Sequence, residues 1–408
     1  MSSTKDFRVA IVGGGMCGLA CAVGLSLRGI HADVYESAVR TCPFHSMGFE
    51  SLTNGPARLN SLRVLEELGI LEPVMQKIGA QEPALRSFML VSGYSNHDLI
   101  YDVPSAESST HFGHAIYRPT FLEALLPLLN PDRLHLNKKC IRVESLETGA
   151  YVLVFEDGTV VETDLVIGAD GIKSTIRACI TKGSSNLVFA NTVAYRGLVP
   201  HESLVEAGVK TTVNLRPICW MGNDKHVITF PIQGTKLLNV VVFLSDYSQP
   251  FGPQKQGPWV ETVPSSELKS LYNDMGSDVK IIVNHVNSAS KWSIHSVYPT
   301  LPSFVSGNVV LVGDSVSSWH ATASTSQHVL HVYDSIRPRR ANMILEASAR
   351  AGRIFDGFGK PTCGPEWAGS MVAGIWESVW RHDLKKDVEE ALKFLEGSSD
   401  FSYQKTHL

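Results

Sequence analysis

The chain has 408 residues, 44% of them hydrophobic and 19% charged, with a formal net charge of −4. That length supports two substantial cores, and the mild acidity gives no electrostatic reason for nucleic acid or an anionic membrane as partner. No run approaches the ~18 consecutive apolar residues of a transmembrane segment, and the polar start Met-Ser-Ser-Thr-Lys-Asp lacks a signal peptide's apolar stretch. Seven cysteines without a C-x-x-C pair or a Cys/His zinc spacing read as reduced thiols, so the expected setting is cytoplasmic, with no metal.

The first element is the run Val9, Ala10, Ile11, Val12, which is short, mostly β-branched and stopped by glycine, as in a buried parallel strand. Gly13, Gly15 and Gly18 follow in G-x-G-x-x-G spacing. Gly13 permits the tight turn, Gly15 lets a pyrophosphate approach the backbone, and Gly18 lets the next helix pack close. A helix over Met16–Arg28 then points its free N–H groups at the phosphates. A second strand, His31–Tyr35, ends at Glu36, an acid placed to accept from an adenosine ribose. Glu in place of a nearby Arg disfavours a 2′-phosphate, so the site suits FAD or NAD over NADP.

Further along, Asn60–Leu68 reads as a helix ended by Gly69. Arg118–Leu129 reads as another, with proline at an early position. Two alternating strands meet at Asp157-Gly158, a hairpin signal, and a buried strand, Leu165–Ile167, closes on Gly168 to Gly171. From about 185 to 295 the character changes to strands and long loops, one pair turning at Gln233-Gly234. "GNVVLVGDS" (307–315) returns to the buried-strand pattern and ends on Gly313-Asp314. From Val329 onward the chain reads as helical, and Arg337, Arg339 and Arg340 as a solvated or pyrophosphate-proximal helix start. The fold class is therefore α/β. A Rossmann-like domain (1–184, completed by 296–408 with its C-terminal helices) carries an inserted, mostly β substrate domain (185–295).

Three signals occur in order: Gly13 to Glu36, Asp170-Gly171 within "IGADGIKSTIR", and Gly313-Asp314 within "VLVGDS". Together they resemble the class A single-component FAD-dependent monooxygenases, most closely the salicylate hydroxylase-like enzymes of bacteria and of fungal secondary metabolism. The likeness runs over nearly the whole chain. It implies FAD as cofactor, with its adenosine on Glu36 and its pyrophosphate on the first helix. It further implies Asp314 against the ribityl-pyrophosphate, Arg118 against the flavin, Gly48 in a flavin-covering loop, and Asp170 in a motif tied to FAD and NAD(P)H. Only one G-x-G-x-x-G is present, in keeping with enzymes that NAD(P)H visits without a domain of its own. The implied reaction passes one atom of O2 to an electron-rich, phenolic or polyketide-type ring. Arg196, in "AYRGLVP", matches a catalytic arginine of related fungal enzymes and would stabilise a substrate anion, while Tyr195 is the alternative hydrogen-bond donor. A monomer or homodimer is expected.

The chain also departs from the family. After Gly313-Asp314 it reads "SVSSWHATASTSQHVLHVYDSIRPRRAN", with Ser324 and Ser326 where glycines would approach the flavin ring and Ala321 near the expected proline. On the order of 30 residues are absent, among them the helix that should follow, whose loss would uncover core surface. Two other readings stand beside the hydroxylase. One is a vestigial flavin-fold protein with weak or uncoupled turnover. The other is an NAD-dependent dehydrogenase, which would need a catalytic His or Lys motif that is not identifiable.

Overall fold

The structure, a computed structural model, describes residues 7–39, 49–50, 64–79, 87–104, 116–184, 186–315, 327–380 and 382–396. Its first sheet has β1 (Val9–Val12) near the middle, paired in parallel with β2 (Ala32–Tyr35) and with Leu165–Gly168. All four residues of β1 are buried. A central parallel strand is covered on both faces, which is why its sequence is apolar throughout and does not alternate. The sheet continues to Leu134–His135 on one side and to Val309–Leu311 and Val305–Ser306 on the other.

Helix α1 (Met16–Ser26) lies on this sheet through Leu19 and Val23, both fully buried. It ends two residues before the expected Arg28, in a turn closed by Gly29 at φ +76°. Helix α2 (Arg118–Leu125) packs beside it and gives way to a 3-10 turn at Leu126–Leu128. Pro127 explains the early end, since it has no N–H to continue the α-helical ladder. Of the helix expected at Asn60–Leu68, residues 64–67 are described and helical, and Gly69 follows at φ +77°. The Asp157-Gly158 hairpin joins Tyr151–Phe155 to Val160–Thr163. Past the strand now called β3 (Leu165–Gly168), helix α3 (Thr175–Ile180) returns the chain toward the second sheet.

Among the described residues the second sheet has nine strands and is built around β4 (Leu187–Pro200), which pairs antiparallel with both Leu237–Ser245 and Ser288–Val297. One face is covered by helices Ser265–Leu271 and Ser277–Asn284, which bury Tyr195, Val199, Trp220, Leu238 and Val240. Sheet membership crosses the linear boundary at 185, because Met89–Ser92 pairs in parallel with Ile218–Met221 and brings Leu99–Asp102 with it. Strand pairing is a tertiary contact, and 87–104 carries no sequence sign of which sheet it joins.

One expectation about the C-terminal region is corrected. After β5 (Val309–Leu311) and the turn Gly313–Ser315, helix α4 runs without interruption from Gln327 to Phe355. This helix holds the stretch from Val329 onward already read as helical, and residues 316–326, where the flavin loop would begin, lie outside the described residues. Leu330 and Tyr333 in its first turns pack on the first sheet's core, and the Tyr333 hydroxyl donates to Leu311 O at 2.7 Å. These two residues cover part of the first sheet's core. The arginines, in turn, are not at a helix start. Pro338 sits inside α4, Arg337 is buried, and Arg340 donates to the carbonyls of Ser378 and Val379.

Candidate functional site

The turn between β1 and α1 can be made only by glycine. Gly13 sits at φ +109°, and a Cβ there would lie 2.3 Å from the Ala169 carbonyl oxygen. A Cβ on Gly18 would lie 1.8 Å from the oxygen of Gly13. These two positions fix the turn against β3 and bring α1 onto it. Gly15 is the N-cap of α1 and offers no side chain to the helix's first N–H groups. Those donors therefore point out of the helix end with its positive dipole, ready for an anion. Gly14 escaped the sequence reading, and a Cβ on it would press to 2.9 Å on that of Glu36.

Glu36 follows directly on β2. Its Oε2 accepts from Gly14 N at 2.6 Å, and its Oε1 accepts from Ala38 N at 2.7 Å and Ser37 Oγ at 3.0 Å. The half-buried carboxylate is thus aimed at the glycine turn. Two oxygens offer about four acceptor sites, so capacity for a ribose hydroxyl remains.

Arg118, at the start of α2, reaches across to the same helix end, its terminal nitrogen 3.4 Å from where a Gly15 Cβ would stand. Its Nε is buried and has no hydrogen-bond partner. Asp314 lies beyond β5. Its side chain opens to solvent, yet the protein mass around it pushes the carboxyl up, and the charge of Arg118 opposes that shift. Gly313, at φ +63°, lets this turn rest on Cys17 of α1, where a Cβ would lie 2.5 Å from the sulfur. The buried Arg177 holds the turn in place by donating to Ser315 O at 3.0 Å and Ile172 O at 2.6 Å. Sequence reading missed Arg177, although it lies within "IGADGIKSTIR".

These groups fit a dinucleotide. An uncapped helix end and an orphaned guanidinium nitrogen suit a diphosphate, while an acceptor at the end of β2 suits a ribose. Asp170 is placed differently. Its Oδ1 accepts from Ser174 Oγ at 2.5 Å and its Oδ2 from the N–H groups of Thr175 and Ile176, so the carboxylate caps α3. Its own backbone nitrogen lies against Gly13. Gly48, Ala321, Ser324 and Ser326 lie outside the described residues.

A second candidate region is the sheet face turned away from the two covering helices. Arg196 stands there half-buried, its guanidinium carbon 4.7 Å from the centre of the Trp292 ring. Trp292 was not anticipated, because it lies almost a hundred residues away and meets Arg196 only through the pairing of β4 with Ser288–Val297. The structure separates Tyr195 from Arg196. Neighbouring strand residues face opposite ways, and the Tyr195 hydroxyl, buried under the helices, donates to Glu267 Oε1 at 2.8 Å. The two residues cannot serve one pocket.

Comparison with known proteins gives a consistent picture. No protein-family model matches the chain. A salicylate hydroxylase of Sarocladium schorii is 31% identical over 350 residues, covering 79% of this chain and 68% of the relative. A salicylate hydroxylase of Pseudomonas putida is 27% identical over 431 residues, covering 94% of each. Among solved structures, a salicylate hydroxylase–substrate complex superposes with a TM-score of 0.77 at 24% identity, over 95% of this chain and 98% of that one. The Klebsiella pneumoniae protein HpxO, complexed with FAD and uric acid, gives 0.68 at 17% identity, over 96% of this chain and 97% of that one. By sequence and by fold, the chain belongs to the salicylate hydroxylase-like FAD-dependent monooxygenases.

Proposed function

We propose that the protein hydroxylates a phenolic or polyketide-type aromatic small molecule, using NAD(P)H as reductant and O2 as oxygen source. The observation that carries this reading is the coexistence of the dinucleotide cradle with a second, largely buried sheet face bearing the half-buried Arg196. Bound FAD supplies the relay of electrons from NAD(P)H to O2. The residues of the chain do the positioning. The N–H groups of α1 and the guanidinium of Arg118 hold the pyrophosphate, Glu36 holds the adenosine ribose, and Asp314 borders the ribityl chain. Arg196, fixed by Trp292, orients an anionic oxygen of the substrate and stabilises charge on it. Asp170 acts by capping α3 and keeping the turn after β3 in shape against Gly13.

No helix among the described residues is long and apolar enough to cross a membrane. Six described cysteines are free thiols, which supports action in a reducing, cytoplasmic compartment. The test is direct. Purified protein should carry flavin absorbance, and a phenolic acid should accelerate NAD(P)H oxidation and consume O2 with formation of a hydroxylated product. Alcohol oxidation by NAD⁺ without bound flavin would replace this reading with the dehydrogenase. Flavin binding with NAD(P)H oxidation but no product would favour the vestigial one.

A further inference from the structure

Along strand Leu237–Ser245 successive side chains point to opposite faces, and residues 238 to 242 are buried on both. Leu238, Val240 and Val242 are buried beneath the two helices, so residues 237, 239, 241 and 243 face the other way. That is the face of Arg196, because Arg196 stands opposite Val241 and Leu198 opposite Asn239 in the ladder. Asn239 is only 5% exposed, and on its other side it stands opposite Phe230. The side chains around it are apolar: Leu198, Phe230, Ile232 and Leu237. Its amide makes no hydrogen bond to any described residue. Its polar atoms are not among the fully buried unpartnered ones, so the amide, set among apolar neighbours where Leu or Val would suit the ladder better, is left for a partner from outside the chain. A diagonal pair across two strands stands about 7–8 Å apart, so Asn239 and Arg196 are neighbours on one face of the sheet.

We infer that Asn239 is a specificity-determining residue that holds a neutral oxygen, a ring hydroxyl or carbonyl, of a substrate whose anionic group lies at Arg196. An amide both donates and accepts but carries no charge, so it suits a neutral oxygen and gives no countercharge to a carboxylate. This inference rests on the hydroxylase reading above.

The experiment uses the FAD-loaded full chain and four probes, salicylate and its 4-, 5- and 6-hydroxy derivatives, with binding followed by perturbation of the flavin absorbance. At least one hydroxylated probe is expected to bind the parent protein about tenfold or more tightly than salicylate. Asn239→Leu should bring that probe to within about threefold of salicylate while leaving salicylate's own affinity in place. Asn239→Ala gives the same comparison should the leucine variant not fold. Asn239→Asp, which keeps the shape and an acceptor, should retain the preference, an outcome that a purely structural role would not produce. A uniform shift of all four probes, a preference surviving in the leucine or alanine variant, or no preference in the parent would overturn the assignment and leave the hydroxylase reading standing. Binding of none of the four would remove the phenolic reading and this inference with it.

Discussion

The carboxylate of Glu36 accepts a hydrogen bond from the backbone N–H of Gly14 at 2.6 Å. This contact ties the end of β2 to the turn that opens α1, so the Glu36 carboxylate and the uncapped end of α1 are held as one unit. The same carboxylate oxygen pair keeps two further donors, from Ser37 and Ala38, on its far side.

Glu36→Ala should therefore weaken FAD binding by about 1–3 kcal/mol, through loss of a charged acceptor and release of the Gly14 turn. Titration of apoprotein with FAD, followed by quenching of flavin fluorescence, reads the change directly. Equal affinity in variant and parent would remove Glu36 from the site.

Gly18→Ala tests the turn itself. The added methyl would meet the Gly13 oxygen at 1.8 Å, and backbone must move to admit it. A cost of about 1–3 kcal/mol or more is expected, visible as a lower Tm together with loss of bound flavin. A variant with parental Tm and flavin content would mean that α1 can slide away from β1 without consequence.

Arg196→Met keeps the length of the side chain and its contact with Trp292 but removes the charge. Catalytic efficiency should fall about 100-fold or more while flavin content stays at the parental level. If kcat/KM is unchanged, Arg196 belongs to the scaffold of the sheet.

Tyr195→Phe should leave kcat/KM as in the parent, because the hydroxyl serves Glu267 on the opposite face. It should cost about 1 kcal/mol of stability. A large drop in turnover at unchanged Tm would restore Tyr195 to the active site.

The same cluster has a pH signature. Lys291, and after it Tyr195, hold the Glu267 carboxyl below its ordinary 4.5. A carboxyl depressed in the folded state adds stability above its unfolded value, and that stability is lost as pH falls through the folded value. Lys291→Met should flatten this acid-side loss, by under about 1 kcal/mol because the pair is part-exposed. Parallel melting curves for parent and variant from neutral to acid pH are the check, and identical acid slopes would show that the ion pair contributes nothing.

How much of this was legible in the chain depends on the range of the forces involved. Val9–Val12, Gly13, Gly15, Gly18 and Glu36 could be read directly, because a buried parallel strand, a turn demanding φ > 0 and an uncapped helix end are local requirements with few residue solutions. The Asp157-Gly158 hairpin and the strand ending at Gly313-Asp314 were legible for the same reason. The partners of these residues were not. Sequence alone left Tyr195 and Arg196 as alternatives for one role, and only the face of β4 on which each stands separated them. It gave Asp170 a cofactor role, whereas the fold turns that carboxylate to the first turn of α3. It treated Pro338 and its arginines as a beginning, yet packing of Leu330 and Tyr333 on the first sheet starts α4 eleven residues earlier. Trp292 under Arg196, Asn239 beside it, and the recruitment of Met89–Ser92 into the second sheet all depend on strand register. Register is set by which apolar faces bury each other across the whole molecule, and no local stretch of sequence contains that information.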